Sequence, residues 1–298
     1  MAQSIFGLIG TSLKHSFSPD IHNAVFKKLA INARYRIFEL EEEQLKSFLS
    51  SAFAKSIRGL NVTIPYKEKV IPFLTRLDAD TPSAFTIGAV NTIKVEERGL
   101  TGYNTDGGGF IDALNRIERR ENHRPFDFKS KLCVILGAGG AAKAVAFALA
   151  AQNVGGLYIY DIDHPKSKKL AAEIGSKFPK SFPQALESKE QLEAIEDSQI
   201  LVNATPIGMK ATDAPVVNED FLHKDLFVFD CVYNPKGRQR TILVEEARKK
   251  GLRAFDGLWM LICQAIRSQK IWLGRKILED EIFRIMAGAL EERGHPLC

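Results

Sequence analysis

An apolar run, Leu132-Cys-Val-Ile-Leu136, leads straight into Gly137-Ala-Gly139-Gly-Ala-Ala142 and then into a small-residue apolar segment ending at Ala151. A run of that length reads as a buried strand and the segment after it has the length of a helix, so the glycines mark a tight strand-to-helix turn. Such a turn aims unpaired N–H groups and the positive end of a helix dipole at one point, where a dinucleotide pyrophosphate would sit. Gly137, Ala138, Gly139, Gly140 and Ala141 are the candidate cofactor loop. An acidic residue, Asp161, follows about 20 residues on at the end of the next predicted strand, which is the context that strengthens the motif. The competing reading is a glycine turn that only lets helix and strand pack.

Asp161 also bears on which dinucleotide is held. A carboxylate there accepts hydrogen bonds from both ribose hydroxyls and repels a 2′-phosphate, which predicts NAD without excluding NADP. Lys166, Lys168 and Lys169 are the nearby cations that would meet a phosphate, although a lysine run on a helix is usually a solvated face.

The alternation of strand and helix patterns continues on both sides of this turn. Upstream, residues 4–9 read as a strand stopping at Gly10, and Ser18 is a candidate N-cap for a helix with Pro19 in its first turn. Residues 34–40 alternate as a strand, 41–54 have helical periodicity, and 57–64 read as a strand broken by Pro65. A helix over 67–77, a strand over 89–95 and a hairpin through Arg98-Gly99 back to Tyr103 follow. Downstream, helices are expected over 141–151, 166–174 and 241–250, and strands over 157–162, 200–203 and 226–233. Two helices, 258–273 and 280–292, close the chain with no strand left to pair. This order predicts an α/β protein with mostly parallel sheets covered by helices. At 298 residues, and roughly 150 residues per domain, two domains are expected. The polar stretch 118–130 is one candidate crossing between them.

Composition excludes several classes. Hydrophobic residues at 45% and charged residues at 26% are those of a globular chain, against disorder or a coiled coil. The net charge of +5 is spread along the chain without the clustered basic and aromatic residues of a nucleic-acid surface, so no nucleic-acid partner is expected. No apolar stretch reaches the roughly 20 residues of a membrane span, and the N-terminus lacks a signal-peptide pattern, so a cytoplasmic location is expected. Cys133, Cys231, Cys263 and Cys298 show no CxxC spacing, which predicts neither a metal site nor a disulfide framework.

Four polar clusters stand where predicted strands end: His15-Ser16-Phe17-Ser18-Pro19, Asn61-Val-Thr63-Ile-Pro-Tyr-Lys67, Gly88-Ala-Val-Asn91-Thr92 and Asn104-Thr-Asp106-Gly. Ligands of open α/β sheets bind outside the carboxyl ends of strands, so these clusters are candidates for one crevice. Each alone has a plain explanation: Ser18 as a cap, Asp106 as a cap or turn residue, Lys67 as a solvated side chain. Together they offer hydroxyls, amides, one ammonium and one carboxylate, which suit a polyhydroxylated acid.

These segments resemble the shikimate dehydrogenase family, which includes the quinate/shikimate dehydrogenases. The resemblance extends through Gly137-Ala-Gly-Gly-Ala141, Asn203-Ala-Thr-Pro-Ile-Gly-Met209, Asp230-Cys-Val-Tyr-Asn-Pro235, and Asp256-Gly-Leu-Trp-Met-Leu261 with Gln264, and so covers nearly the whole chain. It implies a soluble NAD(P)-dependent oxidoreductase that reduces 3-dehydroshikimate to shikimate on the route to aromatic amino acids. By position, Lys67 matches the catalytic lysine and Asp106 its carboxylate partner. Ser16, Ser18, Thr63, Asn91, Tyr233 and Gln264 match substrate-binding groups, and Cys231 and Gly257 match the lining of the nicotinamide end.

The implied architecture is an N-terminal substrate domain over 1–105, a doubly wound Rossmann cofactor domain over 106–257, and C-terminal helices over about 258–298 returning to the first domain. The active site is expected in the cleft between the two domains, and the protein as a monomer or homodimer.

The chain departs from the family pattern in three places. Members specific for NADP carry Asn-Arg-Thr after the second cofactor-domain strand, whereas Asp161-Ile162-Asp163 stands here, like the NAD-using quinate/shikimate branch. Thr11-Ser12 follows Gly10 where proline is frequent. Residues 78–86 are a few longer than usual and include Pro82, and no contact is assigned to them. The alternatives carried forward are a quinate/shikimate enzyme that prefers NAD, and a non-catalytic dinucleotide-binding sensor.

Overall fold

The computed structural model describes every residue except 1, 80–82, 188–189, 211, 234–239, 275–277 and 298. Pro82, Asn234, Pro235 and Cys298, singled out above, lie outside the described residues. The chain divides into two compact units, one of residues 1–109 with 261–297 and one of residues 110–260.

The first unit holds β1 (Ser4–Gly10), α1 (Ser18–Lys28), β2 (Ala33–Glu39), α2 (Leu45–Ser50), β3 (Ile57–Val62), β4 (Arg76–Leu77), α3 (Ala84–Ile87), β5 (Thr92–Glu96) and β6 (Gly99–Tyr103). Its sheet has the order β2-β1-β3-β5-β6-β4. β1 runs parallel to β2 and β3, and β4 to β6, while β5 is antiparallel to both β3 and β6, so this sheet is mixed with three of its five pairings parallel. The register Ile9↔Val62 puts the carboxyl ends of β1 and β3 side by side, and the loops that follow them begin together.

The helix expected over 67–77 is absent. Pro72 has no N–H to continue a helix and disfavours helical backbone before it. The carbonyl of Lys67 instead accepts the Val90 N–H at 2.7 Å, and successive turns end in a single 3-10 turn, Ile71–Phe73, before β4. Ser18 is the first residue of α1 and not its cap; Phe17 holds that place without a side-chain bond. Asn91 likewise precedes β5, which starts at Thr92.

Two helices straddle the boundary between the units: α4 (Asp106–Asn122), which the sequence reading did not anticipate, and α8 (Leu258–Leu273). Asp106 lies in the first turn of α4 and Arg119 and Arg120 in its last, each charge matched to the helix dipole. α4 thus runs into the polar stretch beginning at residue 118. From α8, Trp272 returns to the first unit and packs on β3 at Gly59, where an added Cβ would stand 2.4 Å from the indole. The same indole joins the buried cluster of Phe6, Leu8, Leu13, Phe26 and Tyr35.

The second unit is built from β7 (Leu132–Leu136), α5 (Gly140–Ala151), β8 (Gly156–Tyr160), α6 (His164–Lys177), β9 (Pro183–Leu186), β10 (Ile200–Asn203), β11 (Phe227–Asp230), α7 (Ile242–Lys249) and β12 (Arg253–Phe255). The last helix, α9 (Glu279–Glu291), belongs to the first unit, where it packs on α1. The order β12-β11-β10-β7-β8-β9 is parallel throughout. Its chain leaves β7 in one direction for β8 and β9 and returns on the other side for β10, β11 and β12. That reversal of direction beside β7 is where a doubly wound sheet opens a crevice. β9 and β12 were not anticipated. They are edge strands of four and three residues, and β9 begins with a proline, which an edge strand tolerates at its first position.

Candidate active site

In the first unit four of the expected residues meet around one carboxylate. Lys67, on the loop after β3, places its Nζ 2.6 Å from Asp106 Oδ2, with the two side chains only 14% and 9% exposed. Asn91 donates from Nδ2 to Asp106 Oδ1 at 2.7 Å and lies 3.4 Å from Gln264 Oε1 on α8. Asn91 is itself oriented by the Thr105 N–H, which donates to its Oδ1 at 2.7 Å. Both oxygens of Asp106 therefore have fixed donors, and the ammonium sits at a set point in a largely dry site. A solvated surface lysine does not fit these contacts.

Ser16, Ser18 and Thr63 lie on the loops after β1 and β3. The Ser18 N–H donates to Ser16 Oγ at 3.2 Å, and the Thr63 N–H to the Ile9 carbonyl at 3.0 Å. Thr63 is also tied to the end of β1 by space, because a Cβ on Gly10 would stand 2.6 Å from its methyl group. Tyr233 belongs to the second unit, three residues past β11.

Thr105, Asn61 and Thr92, which stand in the polar clusters named from the sequence without an assigned role, are buried and bonded into the site, as is Ser268, which no sequence motif included. Gln264 and Ser268 stand four apart on α8, a spacing that puts both on one helix face, and this was the available signal.

In the second unit the glycine loop stands at the carboxyl end of β7. Gly137 has φ +104°, a backbone that favours glycine, and a Cβ there would meet the Ala204 carbonyl at 3.0 Å. A Cβ on Gly139 would meet nothing within 4 Å, so the backbone faces open space at the N-terminus of α5. Ala138 is buried, and Gly140 and Ala141 form the first turn of α5, whose leading N–H groups have no partner within the helix. This cradle fits a dinucleotide pyrophosphate.

Cys231 and Gly257 also come together. The Gly257 N–H donates to the Val232 carbonyl at 3.0 Å, and a Cβ on Gly257 would collide with the Cys231 carbonyl at 2.2 Å. Nearby, Asp230 Oδ1 accepts from Asn203 Nδ2 at 2.8 Å and from the Val232 N–H at 3.0 Å. Burial pushes the Asp230 carboxyl up to about 7 and that of Asp256 up to about 6. Among the described residues no group of three or more His, Cys, Asp or Glu is placed to hold a metal, and no helix is long and apolar enough to cross a membrane.

The profile of the shikimate dehydrogenase substrate binding domain matches residues 8–93. The shikimate dehydrogenase (NADP(+)) of Methanopyrus kandleri is 40% identical over 276 residues, covering 92% of this chain and 91% of that one. This chain belongs to the shikimate dehydrogenase family. A crystal structure of shikimate dehydrogenase in complex with NADP+ matches with a TM-score of 0.82 and 38% identity, covering 96% of each chain. That of the Thermus thermophilus shikimate 5-dehydrogenase, in complex with NADP(H) and shikimate, matches with a TM-score of 0.81 and 29% identity, covering 97% of this chain and 100% of that one.

These relatives overturn the expected preference for NAD, since the curated relative is named for NADP(+) and both solved structures hold the phosphorylated cofactor. The contact on which the expectation rested also has a second role in the structure, where Asp161 turns its carboxylate onto the glycine loop: Oδ2 accepts the Ala138 N–H at 2.7 Å and Oδ1 accepts the Asp163 N–H at 2.9 Å. Asp161 thereby braces the glycine loop. The quinate alternative and the non-catalytic sensor are not favoured by relatives that are dehydrogenases named for shikimate.

Proposed function

We propose that this chain catalyses the reversible NADP-dependent reduction of 3-dehydroshikimate to shikimate, with the first unit binding the substrate and the second the cofactor. The observation that carries the reading is the 2.6 Å pair of Lys67 and Asp106, held by Asn91 within a nearly buried polar cluster. The nicotinamide supplies a hydride to the substrate's carbonyl carbon. Lys67 meets the charge that then grows on the carbonyl oxygen, donating a hydrogen bond from Nζ and then the proton itself. Asp106 holds that ammonium through Oδ2 and offers the rest of its carboxylate to substrate hydroxyls. Ser16, Ser18 and Thr63 receive the substrate carboxylate as neutral donors, and Asn91, Gln264 and Tyr233 receive ring hydroxyls.

Gly137 to Ala141 hold the pyrophosphate, Asp161 keeps their loop in shape, and Cys231 and Gly257 line the nicotinamide end. The reaction belongs in the cytoplasm, where the Cys133, Cys231 and Cys263 thiols stay reduced. Steady-state kinetics with shikimate and NADP test the assignment. Lys67→Ala should lower kcat by about 10²- to 10⁴-fold, the usual worth of a positioned proton donor, with KM for shikimate changed far less. A variant as active as the parent would remove Lys67 from the mechanism.

A further inference from the structure

We propose that Tyr35 is a positioning residue for the Lys67–Asp106 pair, acting through Asn61 to fix the polarity of the buried amide and hydroxyl chain that holds Asp106. The proposal rests on the function assigned above to that pair.

Tyr35 lies on β2, an edge strand of the first sheet, yet it is almost fully buried. Asn23 of α1 grips its backbone from both sides: the Tyr35 N–H donates to Asn23 Oδ1 at 2.8 Å, and Asn23 Nδ2 donates to the Tyr35 carbonyl at 3.1 Å. The ring is held as firmly. His22 stacks flat on it, with centroids 4.3 Å apart and planes 5° from parallel, and Gln269 of α8 lies 3.0 Å from His22 Nδ1. Burial pushes the His22 pKa down to about 3, so a neutral imidazole lies against the phenol.

What this clamp holds is a hydroxyl. Tyr35 OH is 2.8 Å from Asn61 Oδ1, and because an amide oxygen carries no proton, the phenol donates. That turns Asn61 Nδ2 toward the Asn91 carbonyl at 3.2 Å and toward Thr92 Oγ1 and Ser268 Oγ, each at 3.1 Å. Thr92 Oγ1 also lies 2.8 Å from Ser268 Oγ and 3.1 Å from Asn91 Oδ1, and when Ser268 donates to it, its own proton goes to Asn91. Asn91 then presents nitrogen, not oxygen, to Asp106 at 2.7 Å. Without the phenol hydroxyl, Asn61 would keep only the His22 side chain beside it as a donor, and its amide would be free to turn away from Thr92 and Ser268. Thr92 would then lose the bond that leaves its own proton for Asn91 Oδ1, Asn91 Oδ1 would be held by Thr105 alone, and the support of Asp106 would weaken.

The test is steady-state kinetics on full-length Tyr35→Phe with shikimate and NADP. Thr101→Val serves as the control, a buried hydroxyl of the same sheet that accepts from Arg76 at 2.8 Å outside this chain of bonds. Loss of one buried hydrogen bond predicts a kcat about 5- to 30-fold lower in Tyr35→Phe with both KM values within about threefold, and Thr101→Val within about twofold of the parent. Ser268→Ala reads the same chain from the other side of Asn61, should Tyr35→Phe not fold, with the same kcat loss expected. The two changes combined should cost less than the product of their separate effects. A Tyr35→Phe enzyme of parental kcat, a change confined to KM, or effects that multiply would overturn the proposal. A parent chain inert toward shikimate would overturn the functional reading as well, which separates the two failures.

Discussion

Lys67 and Asp230 show opposite ways of placing a charge. The Lys67 ammonium stays paired at 2.6 Å with a carboxylate that has a second donor, so its position is set by bonds rather than by packing. Asp230 is buried with Asp256 as its charged neighbour and with Asn203, Thr241 and the Val232 N–H as its polar ones. Its folded pKa of about 7 lies above the ordinary 3.8, so between those values the folded state binds more protons than the unfolded one. The contribution of Asp230 to stability is therefore fully present below pH 3.8 and is lost as the pH rises through about 7. His22 works the other way, losing stability as the pH falls from 6.5 through about 3. Replacing Asp230 by Asn should remove the Asp230 slope alone. The difference in melting temperature between Asp230→Asn and the parent should grow steadily in the variant's favour from pH 4 to pH 7, and a constant difference would contradict the assignment.

Two glycines of the second unit look alike in sequence and differ in what surrounds them. Gly257 sits where the segment after β12 passes the turn after β11, and an added Cβ would meet the Cys231 carbonyl at 2.2 Å, a backbone atom that cannot swing away. Gly139 ends the loop before α5 with nothing within 4 Å. Gly257→Ala should lose about 1–3 kcal/mol of stability in urea unfolding, the usual cost of overpacking. Gly139→Ala should leave unfolding unchanged to within about 0.5 kcal/mol. It should nevertheless weaken NADP binding about tenfold or more in a titration, because the added methyl occupies the space assigned to the pyrophosphate. Retained affinity would move the cofactor off this loop.

For the molecule as a whole, a ligand that binds only the folded state stabilises it by about 2.7 kcal/mol at a hundred times its dissociation constant. NADP should raise the melting temperature of the full chain more than the same concentration of NAD, and an equal or reversed order would count against the NADP assignment.

The sequence by itself determined the α/β class and the glycine turn after β7, because these rest on local periodicity and glycine conformation, which neighbours along the chain decide; Lys67 and Asp106 were singled out by the resemblance to a family. That 67–77 avoids a helix was legible only in part, in Pro72, because the bond from Val90 to the Lys67 carbonyl comes from a distant segment. The sequence could not show that Asp161 turns its carboxylate onto the glycine loop, a contact across 23 residues. The bonds of Asn61 to Ser268, 207 residues away, are beyond any local pattern. Only the tertiary structure decides which donors a buried carboxylate or amide finds, because those partners come from strands and helices that folding alone brings within 3 Å or so.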